Sequence, residues 1–146
     1  MSDPEARAKD HAEVEAANAA YYAAFEAADL DAMQDLWLDD PETLCVHPGA
    51  LPVRGTPAIN RSWALIMANT AYIQFFLTDV EVSVLESTAS VTCTENVLTA
   101  PDGTDTDSFG GAKAVATNVF VRTEDGWRLW IHHASPVLSG DNHEDA

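Results

Sequence analysis

The chain has 146 residues, 47% hydrophobic and 21% charged, which fits one globular domain with a single core and excludes a disordered chain. Its 24 acidic residues against 7 basic ones give a formal charge of -17. Phosphate backbones and anionic membrane surfaces are bound through clustered cations, so neither nucleic acid nor a membrane is an expected partner.

Residues Pro4 to Ala28 read as an alanine-rich helix, with Pro4 suited to its first turn. Val14, Ala17, Tyr21, Phe25 and Ala28 recur at helical spacing and predict one buried stripe, with Glu13, Glu15 and Glu26 on a solvated face. Asp29 is the expected N-cap of a short second helix that ends at Asp39-Asp40-Pro41. Thr43 to His47 reads as a short strand, followed by a Pro- and Gly-rich turn through Gly55. Thr56 is the expected cap of a third helix with Pro57 at its first position, and Ile59, Trp63, Ile66 and Met67 form its apolar face.

From Tyr72 the period changes to two. Ile73, Phe75 and Leu77 obey one phase and Val80, Val82 and Val84 the other, which predicts a β-bulge near Thr78-Asp79. Thr88 to Thr99 alternates again, placing Glu95 with Val91, Cys93 and Val97. A polar loop from Pro101 to Gly111 precedes the strand Ala112 to Thr123, and Glu124-Asp125-Gly126 turns tightly into a last strand. Alternation there sends Trp127, Leu129, Ile131 and His133 to one face, and Arg128, Trp130 and His132 to the other. Residues 1–138 are expected to form one α+β domain, and residues 139–146 an acidic, disordered tail.

The two cysteines, Cys45 and Cys93, lie in strand-like segments without zinc spacing and read as buried thiols, although a disulfide depends on geometry. The N-terminus lacks the basic and apolar regions of a secretory signal, and no apolar run is long enough to span a bilayer. A cytoplasmic location is the resulting expectation.

The element order, together with Cys45-Val46-His47-Pro48-Gly49, Arg54-Gly55, Ser62-Trp63, Cys93-Thr94-Glu95, Ala116-Thr117-Asn118-Val119-Phe120 and His132-His133, resembles the nuclear transport factor 2-like superfamily. The likeness is to its SnoaL-like and ketosteroid-isomerase-like branches, and to a group of small bacterial members of uncharacterised function. It runs from about Val14 to Val137. It implies a cone-shaped fold in which three N-terminal helices pack on a curved, bulged, mostly antiparallel sheet. It also implies a pocket between the helices and the concave face, and a homodimer formed through the sheet. The isomerase branch uses an aspartate base with a tyrosine and a protonated acid; Tyr21, Tyr22 and Tyr72 do not align with that constellation.

Glu95 is the most informative residue. A carboxylate on an apolar face is costly unless paired, and desolvation raises its pKa toward the range of a general base. A structural alternative is an ion pair with Arg54, Arg61, Arg122 or Arg128. His47 ends the first strand at a pocket rim, where it either serves the site or holds the turn. His133 shares the expected core-facing parity and is the second candidate histidine, while His132 is expected at an interface with Arg128 and Trp130. Trp63, Asn118, Tyr21 and Phe25 are expected to line the pocket. Adjacent histidines on a strand point to opposite faces, so no metal site is expected, and no cofactor either. The expected function is binding of a small organic ligand, with acid–base isomerisation or dehydration by Glu95, His47 and His133. The alternative is a non-catalytic ligand-binding or homodimeric association module.

Overall fold

A computed structural model describes residues 3–100 and 110–138. The expected tail and most of the polar loop after Ala100 lie outside the described residues. Helix α1 spans Pro4–Ala27 and α2 spans Leu30–Leu36. Strands β1 (Leu44–Val46) and β2 (Val53–Arg54) follow, and then α3 (Thr56–Ala68). Strands β3 (Tyr72–Leu85), β4 (Thr88–Ala100), β5 (Gly110–Thr123) and β6 (Gly126–Pro136) complete the chain.

The caps follow from local chemistry. Asp3 accepts a hydrogen bond from the Ala6 amide at 2.7 Å, and Asp29 accepts one from Ala32 at 3.1 Å, as helix N-caps do. Ala28 ends α1 in the left-handed region at φ 54. Thr56 does not cap α3: Gly55, at φ 87, occupies that position and Thr56 is already helical. Its hydroxyl is turned back, donating to the Leu38 carbonyl at 2.6 Å and accepting from the Asp40 amide at 3.0 Å. It therefore ties the end of the α2 loop to the start of α3 instead of satisfying its own helix.

The six strands form one mixed, curved sheet in the order β2-β1-β6-β5-β4-β3. Only β1 and β6 pair in parallel; every other neighbour is antiparallel. β2 arises within the stretch that reads as a turn, its two residues pairing with Leu44 and Cys45. The bulge in β3 lies between Thr78 and Glu81, with Asp79 at φ 54. It lets Phe75 and Leu77 before it, and Val80, Val82 and Val84 after it, pack on the same core.

A second bulge lies in β6. Val119 pairs with Ile131 and Phe120 with Leu129, so Trp130 is an extra residue on β6. Side chains beyond it change face. Trp127, Leu129, His132 and Ala134 are buried, while His133 and Ser135 are exposed. The three helices cover the inner face of the sheet, and the core runs from Val14, Tyr21 and Met33 through Ile59 and Trp63 to Val91, Phe120 and Leu129. Arg122 clasps Asp10 with two bonds of 2.9 and 2.8 Å and lies 4.5 Å over the Trp127 ring, which anchors the start of α1 to the β5–β6 hairpin.

Candidate active site

A cavity of about 210 Å³ lies between α1, α3 and the inner face of the sheet. Phe25, Ile66, Ile73, Phe75 and Val97 give it an apolar wall, and Tyr21, Tyr22, His47, Glu95 and His132 bring polar groups to it. Among the described residues no arginine or lysine lines it.

Glu95 is 4% exposed. Strand alternation on β4 turns it inward beside Cys93, and its neighbour across the sheet is Ala114. Its Oε2 accepts a hydrogen bond from Tyr22 Oη at 2.6 Å. Among the described residues no arginine pairs with it: Arg122 is taken by Asp10, and Arg128 donates to the Trp127 carbonyl at 3.2 Å. Burial raises the carboxyl pKa above its ordinary value, and the bond from Tyr22 only partly opposes that shift.

Tyr22 sits one turn beyond Asn18 and two beyond Val14, all three on the buried side of α1. Its hydroxyl accepts from Asn118 Nδ2 at 3.3 Å while donating to Glu95. Burial, with the Glu95 charge beside it, pushes the phenol pKa well up, so Tyr22 stays a neutral donor. Asn118 Nδ2 also donates to Asn18 Oδ1 at 2.8 Å, and Asn118 Oδ1 lies 2.6 Å from His132 Nδ1. A buried polar chain thus runs from Glu95 through Tyr22 and Asn118 to His132, with its remaining end at Asn18. Such a chain is stable in an apolar interior only when its members are satisfied.

His132 is 2% exposed, directly opposite Asn118 on β5 and Cys45 on β1. Burial, with His47 and His133 nearby, pushes its pKa down to about 3, so the ring is neutral near pH 7. His47 reaches the cavity from the end of β1, its ring centroid 5.0 Å from Trp63 and 6.2 Å from His132. Burial lowers its pKa as well. Ser62 donates its hydroxyl hydrogen to the Ile59 carbonyl at 2.7 Å, so toward His47 Nε2, at 3.5 Å, it can only accept. Burial pushes the Cys45 thiol, 3.5 Å from the same nitrogen, up to about 12, which makes it a packing group and not a nucleophile. Both cysteines are free.

Glu95, His47, Tyr21 and Phe25 therefore meet at one cavity. His133 does not: the Trp130 bulge exchanges the two histidines, and His133 lies on the outer face with Val115, Thr117 and Ile131. The expectation that His132 belongs with Arg128 and Trp130 is corrected for the same reason. Trp63 stands one layer back, edge-on to Phe25 at 4.7 Å and Tyr21 at 5.7 Å, and buttresses the wall without forming it. Asn118 also stands behind the surface, holding His132. Glu26 is engaged as well, accepting the Phe75 amide at 2.7 Å. Asn18 and Tyr22 are legible as the i+4 and i+8 partners of Val14, but a stripe through Ala17 and Phe25 passes over them. Among the described residues no three His, Cys, Asp or Glu side chains are placed to hold a metal ion, and no helix is long and apolar enough to cross a membrane.

Comparison with known proteins agrees with this architecture. A crystal structure of a candidate dehydratase of the NTF2-like family from Streptomyces avermitilis is 49% identical, with a TM-score of 0.84 over 90% of this chain and 99% of that one. A candidate calcium/calmodulin-dependent protein kinase type II association domain from Thiobacillus denitrificans is 34% identical, with a TM-score of 0.73 over 85% and 94%. An NTF2-like protein with a cystatin-like fold from Novosphingobium aromaticivorans, 24% identical, shares the fold with a TM-score of 0.73 over 99% and 97%. No curated protein sequence matches the chain. The model of the SnoaL-like domain matches residues 14–139, and the chain belongs to that family within the NTF2-like superfamily.

Proposed function

We propose that the cavity binds a small, mainly apolar organic molecule and that Glu95 is the general base of a cofactor-independent dehydration or isomerisation. The observation that carries this reading is a buried carboxylate at an apolar cavity, with no cation beside it among the described residues and Tyr22 fixing its orientation. A carboxylate so placed is desolvated and basic, and its bound proton stays inside the cavity. Glu95 can therefore take a proton from carbon and return it, either to a departing hydroxyl, which leaves as water, or to another carbon. The carboxylate is regenerated in both cases. Tyr21 and His47 border the same space and can hold the substrate oxygen. The description of the 49% identical Streptomyces protein as a candidate dehydratase supports this class of reaction.

The test is turnover of small cyclic hydroxy-ketones, followed by the absorbance of the conjugated product. Glu95→Gln keeps the shape and the bond to Tyr22 and should lower kcat by about 10²–10⁴-fold. Equal turnover by the variant would remove Glu95 from the mechanism.

A second reading, assembly, is favoured by the outer face, where Val115 is 48% exposed beside Val119 and Ile131. We propose that two copies pair through this face; the 34% identical relative, described as an association domain, supports such a role.

A further inference from the structure

We propose that Asn18 is a positioning residue for the cavity. Through Asn118 it holds His132 as the Nδ1–H tautomer, so Nε2 faces the ligand as a hydrogen-bond acceptor and the ligand must bring a donor, such as a hydroxyl, to that wall. The inference rests on the cavity being a ligand site, but it concerns a different wall group from Glu95.

The argument is an accounting of donors and acceptors. An asparagine amide has one oxygen, which only accepts, and one nitrogen, which only donates. Asn118 directs its nitrogen at Asn18 Oδ1, 2.8 Å away, and at Tyr22 Oη, 3.3 Å away. Its oxygen therefore faces His132 Nδ1 at 2.6 Å, and that nitrogen must carry the hydrogen. Turning the Asn118 amide over would set two oxygens against each other at Asn18. Tyr22 would also need its hydroxyl hydrogen for the turned Asn118 oxygen, and that hydrogen is used by Glu95. Asn18 Oδ1, with the Tyr22 hydroxyl whose hydrogen is given to Glu95, thus sets the polarity of the chain.

The consequence falls on the other edge of the imidazole. His132 borders the cavity, and its Nε2 makes no hydrogen bond to any described residue. The ring is neutral, because burial opposes its charge. A neutral ring with its hydrogen on Nδ1 offers a lone pair at Nε2. A ligand hydroxyl satisfies that lone pair, whereas a carbonyl or ether oxygen would meet it with another lone pair.

The test is nitrogen-15 NMR of the histidine rings in the full-length protein near neutral pH. The wild-type His132 should show a single Nδ1–H tautomer. Asn18→Leu should give a mixture of both tautomers, and adding Asn118→Asp, whose carboxylate only accepts, should restore the single one. Phenol should shift the Nε2 resonance and anisole should not. Hydrogen on Nε2 in the wild type, an unchanged tautomer in Asn18→Leu, equal shifts from both probes, or no shift from phenol would each overturn the proposal. If Asn18→Leu does not fold, the wild-type spectrum and the two probes decide. No readout needs turnover, so the proposal can fail while Glu95 remains the base, and it can stand if Glu95 is not.

Discussion

Two neighbouring cross-strand pairs of β5 and β6 have the same backbone setting and opposite surroundings. Asn118 faces His132 inside the sheet, at 2.6 Å and shut away from water; Thr117 faces His133 outside it, where the histidine is exposed. Both pairs join a polar side chain to an imidazole. Only the inner one is linked onward, to Tyr22, Glu95 and Asn18. Histidine chemistry in this protein is therefore set by the environment of each sheet face: burial makes His132 a neutral, oriented group, and solvent leaves His133 without a hydrogen-bond partner among the described residues.

The largest effect should come from breaking the inner pair. His132→Ala removes a buried ring and leaves Asn118 Oδ1 unpaired, which should cost about 2–4 kcal/mol in denaturant unfolding. His133→Ala should stay within about 0.5 kcal/mol of the wild type. Similar losses from the two variants would mean that the inner chain is not the stabilising one.

Acid should sharpen the contrast. His132 stays neutral in the folded protein down to about pH 3, while in the unfolded chain it titrates near its ordinary value of 6.5. The unfolded state binds more protons in that window, so this group lowers stability as pH falls, by up to about 1.4 kcal/mol per unit. His47 acts in the same direction. Glu95 acts oppositely, because its folded pKa is raised: its contribution falls as pH rises through the region above 4.5. Difference curves against His132→Gln and Glu95→Gln should slope in opposite senses.

The smallest effect on the fold should come from the outer face. Val115→Lys should leave unfolding within about 0.5 kcal/mol but convert a dimer to a monomer in sedimentation. A wild-type monomer at micromolar concentration would end the assembly reading.

Most of the fold was legible because it rests on periodicity. The phase change across Thr78-Asp79 announced the β3 bulge, and the inward parity of Glu95 followed from Val91 and Cys93. The cavity was only half legible. Glu95, His47, Tyr21 and Phe25 came from pattern and position, but Tyr22 and Asn18 are polar members of a helix face judged by its apolar ones. The β6 bulge gave no signal, because both phases of Trp127 to Ala134 contain large apolar residues and a histidine. Thr56 was misplaced by one residue because its hydroxyl bonds backbone far away in sequence, where helix-cap statistics do not reach.

Trp130 occupies the extra position in a strand gripped on both edges, by β5 through residues on either side of it and by β1 from Ile131 onward. Its indole is also fastened to the Glu42 carbonyl at 3.2 Å. The strand therefore cannot absorb the added residue by sliding. Straightening the bulge while keeping the residue would reverse the orientation of everything after it, carrying His133 into the cavity and His132 out to solvent, whereas deleting Trp130 would leave every later pair and face as it is. In this part of the chain the bulge is as strict a determinant of chemistry as residue identity.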